Sequence, residues 1–147
     1  MFTKRITMGW GDMDFNAHTR NTAYLDKSAD VRLMFFAENG FTIEAFTRLR
    51  IGPVVMRDEV EYYRETNLLD ELDGALSLAG LAEDGSRYRL RNEFARPDGT
   101  LCARVTSTGG WLNLAERRLT APPAALLDAL RTLPRADGFE VLPTSIK

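Results

Sequence analysis

Hydrophobic and polar positions change period along this chain, and the changes mark its elements. Phe2, Lys4, Ile6 and Met8 alternate with Thr3, Arg5 and Thr7, a period of two that predicts a first strand with one half-buried face. Gly9 and Gly11 flank Trp10 and end that strand. Between Tyr24 and Ala37 the apolar residues Tyr24, Leu25, Ala29, Val31, Leu33, Met34, Phe35 and Phe36 predict one long helix. Its C-terminal half is apolar almost all round, so it requires cover on most sides. Thr22, or Asn21 before it, stands where an N-cap belongs, and Asn39-Gly40 stops the helix. Thr42 to Leu49 adds a short helical turn.

From Gly52 the period returns to two. Val54, Met56, Val60 and Tyr62 share one face, with Arg57, Glu59, Glu61 and Glu65 on the other and Asp58 interrupting the apolar side. Leu72, Leu76 and Leu78 mark the next strand, where Gly74 and Gly80 permit curvature. Glu83-Asp84-Gly85-Ser86 signals a hairpin. Tyr88, Leu90, Asn92 and Phe94 then alternate with Arg87, Arg89, Arg91 and Glu93. After the Pro97-Asp98-Gly99 turn, Leu101, Ala103 and Val105 lead through Gly109-Gly110, a bulge or bend, to Trp111, Leu112 and Leu114. Pro122-Pro123 opens a last helix carrying Leu126, Leu127 and Leu130, and residues 135–147 read as a surface tail. This order predicts one α+β domain over residues 1–147. Four consecutively hairpinned strands join the first in a five-stranded curved antiparallel sheet around the helix. So much sheet in a small chain predicts pairing with a second copy.

Composition adds exclusions. With 44% hydrophobic and 27% charged residues the chain is an ordinary globular one, and a net charge of −2 gives no electrostatic ground for nucleic acid. Cys102 is the sole cysteine, so no intrachain disulfide forms, and it reads as a small core hydrophobe. With one histidine and no further cysteine, a zinc site is not expected. The longest apolar run, Leu33 to Ala37, is too short to span a membrane. The N-terminus lacks the apolar stretch of a signal peptide, and a cytoplasmic location is expected.

The chemistry concentrates between Asp12 and Tyr24, in D-x-D-x-N-x-H-x-x-N-x-x-Y. Two carboxylates, a carboxamide and the only imidazole fall in a short polar segment that runs into a helix N-terminus, where negative charge is favoured. There is no serine or cysteine nucleophile in it. A carboxylate there can activate water or attack a carbonyl itself, and nearby N–H groups, those around Asn21 to Ala23, can hold an oxyanion. That set suits hydrolysis of an activated acyl group such as a thioester, whose thiol leaves with a pKa of roughly 8.5.

On those residues the segment resembles the signature of the hotdog-fold acyl-CoA thioesterases, the 4-hydroxybenzoyl-CoA thioesterase-like group. It is also similar, without gaps, to the corresponding run of plant acyl-ACP thioesterases. Pro53-Val54-Val55, the Asp-Gly hairpins and Gly110-Trp111-Leu112 extend the likeness over most of the chain. The resemblance implies a hotdog fold working as a dimer or a dimer of dimers. It also implies acyl-CoA as substrate, coenzyme A only as part of that substrate, and no other cofactor. It places Asp14, Asn16 and His18 as the catalytic trio, Asp14 being general base or nucleophile, and matches Asp30 to an acidic residue of the plant enzymes. Many relatives read H-V-N-N where this chain has His18-Thr19-Arg20-Asn21, and the plant enzymes have a glutamate where it has Asp30. The alternatives are an acyl-ACP thioesterase and a non-catalytic acyl-CoA-binding hotdog domain.

Each candidate also has a plain structural role. Asp12 reads as a turn or cap residue and Asp14 as the functional one. Asn16 serves equally as a site residue or as a left-handed turn residue. His18 taken alone is a loop histidine, and its spacing from Asp14 and Asn16 is what argues for a site. Asn21 and Thr22 read as caps, Tyr24 as core, and Asp30 as part of a charged helix face. The row Arg87, Arg89, Arg91 reads as a solvated strand face.

Overall fold

In the computed structural model, which describes residues 1–147, β1 (Phe2–Thr7) leads through a short 3-10 turn (Trp10–Asp12) and a polar loop into α1 (Ala23–Glu38). Then follow α2 (Ile43–Leu49), β2 (Ile51–Tyr62), β3 (Glu71–Ala82), β4 (Arg87–Ala95) and β5 (Leu101–Asn113). The chain closes with β6 (Arg118–Thr120), α3 (Ala124–Arg131) and β7 (Arg135–Leu142). The main sheet runs β1-β3-β4-β5-β2, with β6 on β5 and β7 parallel to β3.

The helix fits the sheet through period-two faces. On β4 the side chains of Tyr88, Leu90, Asn92 and Phe94 are buried, and the residues between them are only half-buried. Val31, Phe35 and Phe36 of α1 are buried in the same core cluster as Leu72, Leu76, Leu90, Phe94 and Val105. Gly74 keeps the layers close, because a β-carbon there would stand 3.2 Å from Phe94 and 3.3 Å from Val31. Register shifts at Val55/Arg57, Leu78/Gly80 and Phe94/Ala95 bend the strands around the helix.

Several expectations need correcting. The four long strands are not consecutively hairpinned: β2 crosses to the far edge and pairs with β5, while β1 takes the place beside β3. The connection through residues 63–70 makes that crossing under the polar loop, tied by Thr19 N–H to Thr66 O (2.9 Å) and Met8 N–H to Asp70 O (2.9 Å). The bulge expected at Gly109-Gly110 lies on the opposite strand, at Val55/Arg57. The glycine answers a different need, since a β-carbon on Gly109 would sit 2.3 Å from Val54 O. Thr22 occupies the N-cap position of α1 but makes no side-chain cap. Within one chain Leu33 and Met34 are not covered; they are 43% and 39% exposed.

The segment read as a tail is strand β7, whose Leu142 is buried beside Ala82 of β3. It also changes the arginine row. Rather than standing in solvent, Arg87 donates to Ser145 Oγ, Arg91 to Asp137 O, and Arg89 pairs with Glu140 at 3.5 Å. Asp12 is structural as expected: it accepts from Gly9 N–H at 2.8 Å and pairs with Lys27 at 3.2 Å. Cys102 is fully buried. No helix is long and apolar enough to cross a membrane.

Candidate active site

The polar loop closes on itself before it meets the helix. Met13 bridges Thr19 antiparallel, Asp14 N–H donates to His18 O at 2.7 Å, and Ala17 turns the chain with a left-handed φ of 62°. Inside that turn Asp14 Oδ1 accepts the amide hydrogens of Asn16 (2.8 Å) and His18 (3.0 Å). The carboxylate is therefore oriented by its own loop, an Asx-type arrangement, and not by the helix N-terminus as the sequence suggests. Asp14 Oδ2 has no protein partner.

Asp14, Asn16, His18, Asn21 and Tyr24 line one cleft of about 370 Å³ together with Tyr62, Tyr63, Arg64, Glu65 and Thr66. Thr22 and Asp30 do not line it; Asp30 is exposed on α1 without an ion pair. Five of the seven residues singled out from sequence thus come together. His18 Nε2 lies 3.2 Å from Glu65 Oε2, so the attractive arrangement carries a hydrogen on Nε2. Sequence reasoning does not find Glu65 or the tyrosines of the 62–66 segment as site residues. Alternation puts Glu65 on the charged outer face of β2, but β2 ends at Tyr62 and its period no longer applies beyond that point.

The floor is a hydroxyl chain. Thr19 Oγ1 donates to Thr66 O (3.2 Å) and Thr66 Oγ1 to Thr19 Oγ1 (2.6 Å), which leaves Tyr24 to donate its phenol hydrogen to Thr66 Oγ1 (2.8 Å). Burial pushes the Tyr24 phenol above its ordinary value, so it remains a neutral donor. Tyr62 donates to Asn21 O at 2.7 Å and pins the segment just before α1. Of the amides proposed from sequence for an oxyanion, Ala23 N–H is taken by Arg20 O (3.1 Å), while those of Asn21 and Thr22 donate to no protein acceptor. Arg20, the departure from the H-V-N-N pattern, turns away from the cleft to Gly11 O (2.8 Å) and Asp26 (3.3 Å). No group of three histidine, cysteine or carboxylate side chains is gathered to hold a metal ion.

An oriented carboxylate with one free oxygen, beside an imidazole, an amide and free N–H groups in an open polar cleft, can activate water against an electrophilic carbonyl.

The sequence model of the thioesterase-like superfamily matches residues 8–130. No curated protein matches the chain by sequence. Among solved structures, a hypothetical protein of Staphylococcus aureus, determined in complex with CoA, is similar with a TM-score of 0.82 and 22% identity, over 92% of this chain and 87% of that one. The 1,4-dihydroxy-2-naphthoyl-CoA thioesterase of Synechocystis has a TM-score of 0.79 and 14% identity, over 88% and 95%. A probable thioesterase of Escherichia coli has a TM-score of 0.76 and 21% identity, over 92% and 100%. These likenesses identify the architecture as the hotdog fold.

Proposed function

Because the chain belongs to the thioesterase-like superfamily and is by that membership a thioester hydrolase, we propose that it cleaves an acyl-coenzyme A thioester with Asp14 as general base. The observation that carries this is the fixed carboxylate: two amide hydrogens hold Oδ1, and Oδ2 is left free at the cleft. Water attacks the thioester carbonyl carbon as Asp14 Oδ2 takes its proton. The carbonyl oxygen becomes an oxyanion beside the free Asn21 N–H. The C–S bond then breaks, and the departing thiolate takes the proton back, giving the free acid and coenzyme A. Asn16 and His18, the latter steadied by Glu65, orient the water and the thioester.

A second copy belongs to this proposal. Trp10, Phe15, Leu33, Met34, Val55 and Met56 leave apolar surface open on one chain, and β2 is a long unpaired edge. A homodimer or dimer of dimers covers such surface. A cytoplasmic location completes the picture.

The test is free-thiol release from coenzyme A thioesters and from the same acyl groups carried on acyl carrier protein. Turnover of the coenzyme A series is the expected result. Turnover confined to the carrier-protein series overturns the choice of substrate carrier. Ligand-dependent stabilisation without release of thiol in either series makes the chain a binding protein and overturns hydrolysis.

A further inference from the structure

Beyond the cleft, α1 and the edge strand β2 are linked at two points. Tyr24 and Tyr62 meet edge to face at its mouth, with ring centroids 5.9 Å apart. Further along, Arg32 of α1 reaches Ser107, which stands opposite Asp58 of β2. From Tyr24 to Arg32 is roughly 12 Å of helix, and from Tyr62 to Asp58 roughly 13 Å of strand. The two links are therefore about equally spaced along α1 and β2, and they frame a seam that starts at the tyrosine pair lining the carboxylate cleft.

The polar link at Arg32 is incompletely satisfied. Arg32 is only 8% exposed, yet it makes no ion pair. Its Nη1 donates to Ser28 Oγ (3.3 Å) and Ser107 Oγ (3.1 Å), and Ser107 spends its own hydrogen on Asp58 Oδ1 (2.5 Å). The guanidinium meets its carboxylate only through a hydroxyl. Its Nε and Nη2 donate to nothing in the protein, and neither is sealed from solvent. Those two nitrogens form the edge that takes a carboxylate side-on with two parallel bonds. Close by on the same inner face is Asn92, opposite Val105 and diagonal to Ser107. It is 0% exposed, and neither its amide oxygen nor its amide nitrogen has a partner. Buried polar groups are ordinarily partnered. An unengaged guanidinium edge and an orphaned amide on one face mark a place for an oxygen acceptor.

We propose that the seam receives the acyl chain and that Arg32, with Asn92 behind it, selects acyl groups whose far end carries such an acceptor, a carboxylate first. This rests on the thioesterase reading of the Asp14 cleft. Asp58 sets the order of preference. Its charge opposes a second carboxylate but is already engaged by Ser107, so a terminal hydroxyl ranks second and a plain alkyl end last. A span of roughly 12 Å corresponds to about ten single bonds at ~1.2 Å each, so a ten-carbon chain is the matched length.

The experiment compares three ten-carbon coenzyme A thioesters by free-thiol release: decanoyl, 10-hydroxydecanoyl, and the monothioester of decanedioic acid. The expected kcat/KM for the dicarboxylic thioester exceeds that for decanoyl by about tenfold or more, the scale of hydrogen bonds to a charged group. In Arg32→Met that ratio falls toward one. Arg32→Lys keeps the charge and loses the side-on edge, so it gives an intermediate ratio and supplies the measurement if the methionine variant fails to fold. A wild-type ratio of one or below, or a ratio unmoved in both variants, overturns the assignment while leaving hydrolysis intact. If no coenzyme A thioester is turned over, the acyl-coenzyme A reading of the cleft falls and takes this one with it.

Discussion

Replacing Asp14 separates chemistry from architecture, because one oxygen of its carboxylate holds the loop and the other faces the cleft. In Asp14→Asn the amide oxygen still accepts from Asn16 and His18 N–H, which now donate at 2.8 and 3.0 Å. Only the charge assistance is lost, a cost of about 1 kcal/mol. In Asp14→Ala both amides lose their acceptor, but in an exposed loop water replaces it, so the cost is about 1–2 kcal/mol. Neither change unfolds the protein. Both remove the base, and a general base contributes roughly 10²- to 10⁴-fold in rate, or about 3–5 kcal/mol of barrier at 1.36 kcal/mol per tenfold. Thiol release under saturating substrate gives kcat, and urea unfolding followed by circular dichroism gives stability. The two variants should match in lost turnover and differ slightly in stability. An Asp14→Asn protein that keeps more than about a tenth of wild-type kcat refutes the assignment of the base. A loss of stability beyond about 4 kcal/mol in Asp14→Ala shows that the residue is a structural keystone instead.

Two further outcomes follow from the core. Gly109→Ala would place a β-carbon 2.3 Å from Val54 O and 2.6 Å from the Tyr88 hydroxyl; with backbone on one side the clash cannot relax cheaply, and a loss of about 3 kcal/mol is expected, read as a lowered melting temperature, with an unchanged melt counting against the register of β2 on β5. Tyr88, 1% exposed, has its phenol pushed up to about 12, first by burial, with nearby Arg32 opposing and Asp58 adding. Up to the unfolded phenol value of about 10 both states keep the proton; above it only the folded state does, so this contribution is full below that pH and is lost as pH rises toward 12, about 3 kcal/mol in all. Urea midpoints measured across that window should fall with pH, and fall less in Tyr88→Phe; parallel profiles contradict the burial argument.

Local periodicity makes much of this molecule legible in its sequence. The alternation of Tyr88, Leu90, Asn92 and Phe94 names the buried face of β4 residue by residue, and the apolar run after Thr22 finds α1 within a residue at each end. Partner choice is not legible, because a strand's pattern states which face is buried and not which neighbour lies beside it. Hence chain order alone sets β2 next to β3, whereas β2 pairs with β5. Strand β7 escapes the pattern since Gly138, at a left-handed φ of 78°, and a mostly exposed run with no period of two hide a strand that lies on the surface. At the site, the D-x-D-x-N-x-H spacing brings Asp14, Asn16 and His18 together. Glu65 comes from a connection whose position depends on the crossing and cannot be read locally.

The turn from Asp14 to His18 carries its own mount, since the donors that fix the acid lie two and four residues ahead of it. Reactivity is thus packaged in a handful of consecutive residues, apart from the α1 and β2 surfaces that meet the rest of a bound molecule. Changes along those surfaces can redraw the menu of accepted compounds without detuning the acid. A scaffold divided in this way can drift between substrates one side chain at a time and remain a working hydrolase at each step.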